Sequence, residues 1–263
     1  MLLIKIGGGK EINLNGIISD LAALREKFII VHGANALRDE LAQKLNIQKK
    51  VVTSLSGYDS VFSDENTIDL AMMAYAGLKN KRIVELFQQN GVNAVGLSGL
   101  DGKVIQGKRN SGIKVREGGK TLLLRDFSGK PKTINKQLLD LLLDNGYTPV
   151  LSVPLIDENN FAINSENDDI IALLQNEYKA EKIISLIEAP GFLLDKNDPS
   201  SLISNISKAE LGEMEQKVEG RMKRKILALR KLFESGDTTV ILSDGRTENP
   251  IKDALNGKGT TIQ

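Results

Sequence analysis

The sequence predicts an α/β protein: a three-layer αβα sandwich around a mainly parallel central sheet, with a β-hairpin lid region added to it. Three observations lead there. Short, near-continuous apolar runs alternate with helix-period segments along most of the chain, the pattern of strands covered on both faces by helices. Three of these runs end in small-residue turns, Gly7-Gly8-Gly9, His32-Gly33-Ala34-Asn35 and Ser98-Gly99. The stretch 103–132 breaks the alternation with short strand-like pieces separated by glycines, which reads as antiparallel hairpins projecting from the main sheet.

Taken in order, residues 2–6 read as a strand and 17–27 as a helix, with Ile17, Leu21 and Leu24 on its apolar face. Residues 28–31 form a second buried strand, followed by helices over 35–45, 67–78 and 81–89 and a strand over 94–97. Beyond the hairpins the spacing predicts a helix over 135–144, a strand over 148–152, a helix over 168–178 and a strand over 183–187. Helices over 208–216 and 222–234, a strand over 239–242, a short helix over 251–255 and a strand over 260–262 complete the series. The whole chain, 1–263, reads as one domain of two lobes, with a weakly marked boundary near 176–181. In such sheets ligands sit beyond the carboxyl ends of the strands.

Composition removes several classes of function. Lys and Arg number 35 against 34 Asp and Glu, so the chain as a whole is not an electrostatic nucleic-acid binder. Without cysteine there is no disulfide, thiolate metal site or cysteine nucleophile, and a single histidine excludes a multi-histidine metal site. No apolar run approaches the ~20 residues needed to span a membrane, and the N-terminus enters a strand-like run with no basic leader. The expectation is a cytoplasmic protein that binds no membrane.

Chemistry is concentrated at the strand ends. Consecutive glycines at 7–9 let the backbone approach a ligand closely and turn its amides towards an anion. The run is neither a Walker A sequence nor Gly-x-Gly-x-x-Gly, so a Rossmann dehydrogenase is disfavoured; taken alone, it also reads as a tight strand-to-helix turn. Lys5 stands inside the first apolar strand, where an unpaired ammonium is expensive. Beside three glycines it becomes a candidate cation for phosphate. Asn35 reads equally as a helix N-cap, Asp168 as a first-turn helix acid, and Lys225, inside Lys223-Arg224-Lys225, as part of a solvated helix face.

These segments together resemble the amino acid kinase family. Lys5-Ile6-Gly7-Gly8 resembles its Lys-x-Gly-Gly opening, and Val31-His32-Gly33-Ala34-Asn35 the Val-His-Gly-Gly-Gly turn of N-acetylglutamate kinases. Asn164-Ser165-Glu166-Asn167-Asp168 resembles Asn-x-Asn-x-Asp, Gly220-Arg221-Met222-Lys223-Arg224-Lys225 resembles Gly-Gly-Met-x-x-Lys, and Gly257-Lys258-Gly259-Thr260 the closing Gly-Thr strand. The points fall in the family order over essentially the whole chain. Gly96-Leu97-Ser98-Gly99-Leu100-Asp101-Gly102, Leu78-Lys79-Asn80-Lys81 and Glu248-Asn249-Pro250-Ile251 resemble the archaeal and Thermus-type branch of lysine and arginine synthesis, which acts on aminoadipate or glutamate tethered to an amino-group carrier protein.

The resemblance implies the amino acid kinase fold and a homodimeric enzyme using ATP with Mg2+, with an acyl-amino-acid-binding lobe (1–177) and an ATP-binding lobe (178–263). It implies Lys5 and Lys225 as cations at the transferring phosphoryl group, Asp168 as the residue holding them, and Gly7, Gly8 and Gly9 as amide donors to ATP. Gly33, Ala34, Asn35 and Asn164 would contact the amino acid. The loop containing Ala189-Pro190-Gly191 resembles the nucleotide-side loop. Two departures stand out. The substrate turn is Gly33-Ala34-Asn35, and Val61 occupies the place of the arginine that usually grips the substrate carboxylate. In the stretch 103–132, nine Lys and Arg face only Glu117 and Asp126. Lys108, Arg109 and Lys114 on it are candidate docking residues for an acidic carrier protein, where a solvated hairpin is the plainer reading. A kinase of the free N-acetylated amino acid and a non-catalytic nucleotide- or amino-acid-sensing homologue are the alternatives.

Overall fold

The computed structural model describes residues 1–48, 50–55, 59–195, 197–217, 220–234 and 236–263, and for 59–61, 217 and 220–225 the backbone alone. Its first half runs β1 (Leu2–Ile6), α1 (Leu14–Ala22), β2 (Phe28–His32), α2 (Asn35–Lys44), β3 (Val51–Thr53), β4 (Asp59–Val61), α3 (Glu65–Ala71), a π-helical stretch (Met72–Lys79), α4 (Asn80–Gln89) and β5 (Ala94–Ser98). Next come β6 (Ile105–Arg109), β7 (Ile113–Glu117), β8 (Lys120–Leu124), β9 (Gly129–Ile134), α5 (Lys136–Asp144), β10 (Thr148–Ser152), β11 (Leu155–Ile156) and β12 (Ala162–Ile163). The last part holds α6 (Asn167–Tyr178), β13 (Lys182–Ile187), β14 (Phe192–Leu193), β15 (Leu202–Ile203), β16 (Asn205–Ile206), α7 (Lys208–Lys217), α8 (Gly220–Lys231), β17 (Thr239–Asp244), α9 (Pro250–Leu255) and β18 (Thr260–Ile262).

The central sheet has the order β16-β18-β17-β13-β1-β2-β10-β5. All neighbours from β17 to β5 are parallel, and β18 joins β17 antiparallel. Strand alternation sorts the core into two layers. Leu3, Ile29, Val31, Leu151 and Ile183 meet α5, α6 and α8 on one face. Ile4, Ile6, Ile30, Val150 and Ile184 meet α1, α4 and α9 on the other. The αβα sandwich is therefore as the sequence predicts. Lys5 shares the face of Leu3, the face that α6 covers.

Two differences from the sequence reading have physical causes. The helices expected over 67–78 and 81–89 are one continuous rod, because the π-helical stretch Met72–Lys79 joins α3 to α4. An extra residue per turn shifts the apolar face there, so a 3.6-residue reading loses register and reports a break. The first helix ends at Ala22 rather than at 27, since the chain must turn to enter β2.

The hairpin region forms two units. β6 and β9 pair antiparallel within a four-stranded sheet of order β12-β11-β6-β9, and β7 and β8 form a separate ribbon. Gly118 and Gly119 both have positive φ in the two-residue turn of that ribbon, a conformation that suits glycine and matches the strand twist.

His32 is fully buried beneath α4. Asn80 Nδ2 approaches its Nε2 at 3.2 Å and its Nδ1 lies 3.3 Å from the Gly33 carbonyl, so a neutral ring with one donor and one acceptor nitrogen satisfies both contacts. Burial lowers its pKa from 6.5 to about 4, and the Lys79 charge acts in the same direction. The unfolded chain takes up this proton near pH 6.5 and the folded chain only near pH 4. Stability is therefore unaffected above pH 6.5 and falls as the pH drops from there to 4, by about 3 kcal/mol in all. Urea unfolding between pH 7 and 4.5 should show this loss, and His32→Gln should remove that part of the slope.

Candidate active site

β1 and β2 are parallel neighbours in register, Ile6 opposite His32, so the turns that follow leave the same sheet edge side by side. Their backbones mesh. The Gly33 amide donates to the Ile6 carbonyl at 2.8 Å and the Ala36 amide to the Gly8 carbonyl at 2.9 Å. A Cβ on Gly8 would lie 2.6 Å from the Asn35 nitrogen and 2.8 Å from the Ala34 nitrogen, and one on Gly33 would lie 2.7 Å from the Gly8 nitrogen. Close backbone approach, more than unusual dihedrals, is what requires glycine here.

The start of α6 is drawn to this edge. Asn167 Nδ2 donates to the His32 carbonyl at 3.1 Å, and the next residue, Asp168, accepts from Lys5 Nζ at 2.5 Å. Lys5 is 18 % exposed and Asp168 49 %, so the ammonium is drawn in under the edge while the carboxylate keeps an open side. Of the acids the sequence places in this loop, Asp168 meets Lys5. Asp169 turns instead to Lys130 and Lys231, and Glu166 occupies the N-cap position without a side-chain cap bond.

The candidate amino-acid contacts surround the second turn. Ala34 is buried. Asn35 opens α2, and its Oδ1 accepts from the Tyr75 hydroxyl; burial raises the Tyr75 pKa, which keeps it a donor. Asn164 follows β12, bridges Ser128, and reaches Ser63 Oγ through Nδ2 at 3.3 Å. Val61 closes β4, paired with Val51, and Lys225 lies on α8; the side chains of both lie outside the described residues.

Arg109 has a different occupation from the one its place in a basic run suggests. Its Nε donates at 2.9 Å to the buried Asp157, and the guanidinium lies 4.3 Å and 5.6 Å from the ring centroids of Phe127 and Phe161. It is bound into the base of the lid sheet, whereas Lys108 and Lys114 are exposed.

The sequence reading missed Glu188, just past the end of β13. Its carboxylate covers Gly9, where a Cβ would fall 2.0 Å from Oε2, and it accepts from the Glu11 amide at 2.6 Å. The available signal was its place immediately before Ala189-Pro190-Gly191. That loop is fixed from the far side by the buried Thr260 hydroxyl, which accepts from the Phe192 amide at 2.7 Å and donates to the Ile203 carbonyl at 2.6 Å. Among the described residues, no group of three or more His, Asp or Glu is placed to hold a metal ion, and no helix is long and apolar enough to cross a membrane.

An open α/β sheet here brings meshed glycine turns and a carboxylate-held lysine to one edge, a chemistry suited to an anionic group. The chain belongs to the amino acid kinase family, whose model matches residues 1–244. It is 39 % identical over 269 residues to the LysW-aminoadipate kinase of Thermus thermophilus, with 100 % of each chain covered. It is 32 % identical to a putative LysW-aminoadipate/LysW-glutamate kinase of Nitrosopumilus maritimus, covering 100 % of this chain and 98 % of that one. Among solved structures, a Streptococcus mutans protein superposes with a TM-score of 0.74 over 100 % of this chain and 98 % of its own, at 19 % identity, which speaks for the fold alone.

The meshing makes a direct prediction. Gly8→Ala forces the two turns apart and should destabilise the protein by about 1–3 kcal/mol, the usual penalty of overpacking, with a larger fall in nucleotide affinity than in helix content. Thermal unfolding and nucleotide titration measure the two.

Proposed function

We propose that this protein is an ATP-dependent kinase that phosphorylates the side-chain carboxylate of 2-aminoadipate or glutamate presented on an amino-group carrier protein, giving an acyl phosphate in lysine or arginine biosynthesis. The observation that carries the reading is the Lys5–Asp168 contact beneath the meshed glycine turns. The family and the names of its relatives support it.

The acceptor carboxylate has a reference pKa of about 4.3 and is ionised at neutral pH, so no general base is needed. The obstacle is repulsion between two anions, and positioned positive charge answers it. ATP supplies the phosphoryl group, and Mg2+ accompanies it. The glycine turn fits such a ligand, because a backbone without side chains can come against phosphate oxygens. Lys5 places its ammonium at the edge, Asp168 fixes its direction, and Gly8 and Gly9 offer amides; the Gly7 amide, expected to join them, is taken by the Leu186 carbonyl at 2.9 Å. Lys225 on α8 is the second cation of this reading. Glu188 must swing away from Gly9 or be neutralised by a cation as the phosphates enter. Gly33, Ala34, Asn35 and Asn164 line the amino-acid side, in the lobe 1–177, and the lobe 178–263 holds the nucleotide. With Val61 in place of the usual arginine, the substrate α-carboxylate takes its charge partner from elsewhere.

The carrier would dock on the exposed cations of the hairpins. Lys114, Arg116 and Lys120 stand exposed on the β7–β8 ribbon beside the exposed Leu122 and Leu123, and Lys108 is exposed on β6. Lys114 and Arg116 share one face of the ribbon with Leu123, and Lys120 lies on the other with Leu122, so the face of Lys114 and Arg116 offers the charge that suits an acidic protein partner. A homodimer belongs to the same reading: Met73 and Leu78 are exposed on the rod beside the edge strand β5. A cytoplasmic location follows from the biosynthetic role.

Hydroxylamine trapping of acyl phosphate tests the proposal on carrier-linked aminoadipate, carrier-linked glutamate and their free N-acetyl forms. Turnover confined to the carrier-linked forms is expected. In Lys108→Glu/Lys114→Glu the KM for those forms should rise on the order of tenfold at low salt, with nucleotide affinity unchanged. Turnover of free acetylglutamate would move the enzyme to the simpler branch, and no turnover with ATP still bound would favour a sensing homologue.

A further inference from the structure

Asp168 and Asp169 are consecutive in the first turn of α6, so their side chains leave the helix about 100° apart. Asp168 takes Lys5 of β1. Asp169 is far less exposed, 13 %, and holds two lysines from different parts of the molecule. Lys130 on lid strand β9 meets its Oδ2 at 2.5 Å, and Lys231 at the end of α8 meets its Oδ1 at 3.0 Å. Burial alone would raise the carboxyl pKa, but the bonds from Lys130 and Lys231 outweigh it and hold the group below its usual range. One ionised carboxylate thus ties three elements: the helix that holds Lys5, the lid strand, and the helix that carries Lys225.

We propose that Asp169 is a positioning residue that couples the lid to the nucleotide side, so that seating α8 on a nucleotide also orders β9 over the amino-acid side. The inference rests on the proposed assignment of nucleotide and amino-acid sides. Asp169 touches no reacting group in this account; it acts through α8 and β9. A carboxylate shared between two lysines is suited to this, because movement of either lysine changes the charge the other feels. The coupling is reciprocal by necessity, so lid closure on the acyl substrate tightens nucleotide binding by the same factor.

Hydrogen exchange tests the idea without any acyl substrate. A non-hydrolysable ATP analogue with Mg2+ is added to the full chain, and amide protection is followed in α8 and in β9. In the unmodified protein both segments should gain protection, β9 by about tenfold, within the ordinary range of coupling between sites. In Asp169→Asn the α8 gain persists and the β9 gain disappears, and Asp169→Glu, which keeps the charge, restores it. Lys130→Met, which frees the lid alone, should give the same split if Asp169→Asn folds poorly. An equal β9 gain in Asp169→Asn overturns the proposal, as does an unmodified protein whose β9 ignores the nucleotide. A merely structural role would lower protection in both segments before any nucleotide is added and leave the increment intact. Acyl phosphate formation by the unmodified protein is scored separately, so an error in the proposed substrate shows there and not in the exchange data.

Discussion

A lysine inside a buried central strand needs a carboxylate, and the fold is arranged to bring Lys5 one from 163 residues away. β1 lies between β13 and β2 in the middle of the sheet, and Lys5 faces the layer that α6 covers. An ammonium there without a partner would carry a desolvation penalty of several kcal/mol. Asp168 in the first turn of α6 answers this directly, the bond from Asn167 to the His32 carbonyl holds that turn in place, and Asp168 stays half exposed. The pair is therefore structural and poised at once. It holds α6 against the sheet and keeps a cation at the edge where the proposed nucleotide would arrive.

The glycine turns depend on the same geometry. Parallel pairing sets Ile6 opposite His32, so two turns must share one small volume, and they do so by leaving out side chains. The resulting surface is largely backbone amide and held ammonium, a chemistry suited to anions. Glu188 over Gly9 adds an acid to this surface. It interacts favourably with Lys79, whose own pKa burial lowers, and any phosphate group entering the edge must contend with it.

Much of this was legible in the residues. The αβα layering followed from apolar runs and helical periods, and strands 148–152 and 260–262 fall where the spacing puts them. Lys5 was conspicuous because a charge in an apolar strand asks for an explanation. Asp168 as its partner was not readable from pattern: Glu166, Asp168 and Asp169 stand within four residues, and only the helix phase separates them. The π-helical stretch was hidden because its period differs from that of the helices it joins. Arg109 looked like a surface cation because its partners Asp157, Phe127 and Phe161 come from other parts of the chain. The two-residue strands β11, β12, β14, β15 and β16 carry too few residues to show alternation.

The central claim is that Lys5, directed by Asp168, acts on the group being transferred and not merely on the fold. Comparison of Lys5→Met with the unmodified enzyme, by acyl phosphate formation and by nucleotide affinity on the same preparation, tests it most directly. The account predicts a fall in kcat of about 100-fold or more, the scale for a lost electrostatic contact at a transition state, with nucleotide affinity changed far less. A kcat within a few-fold of the unmodified enzyme, or a loss of affinity that accounts for the whole effect, would contradict it.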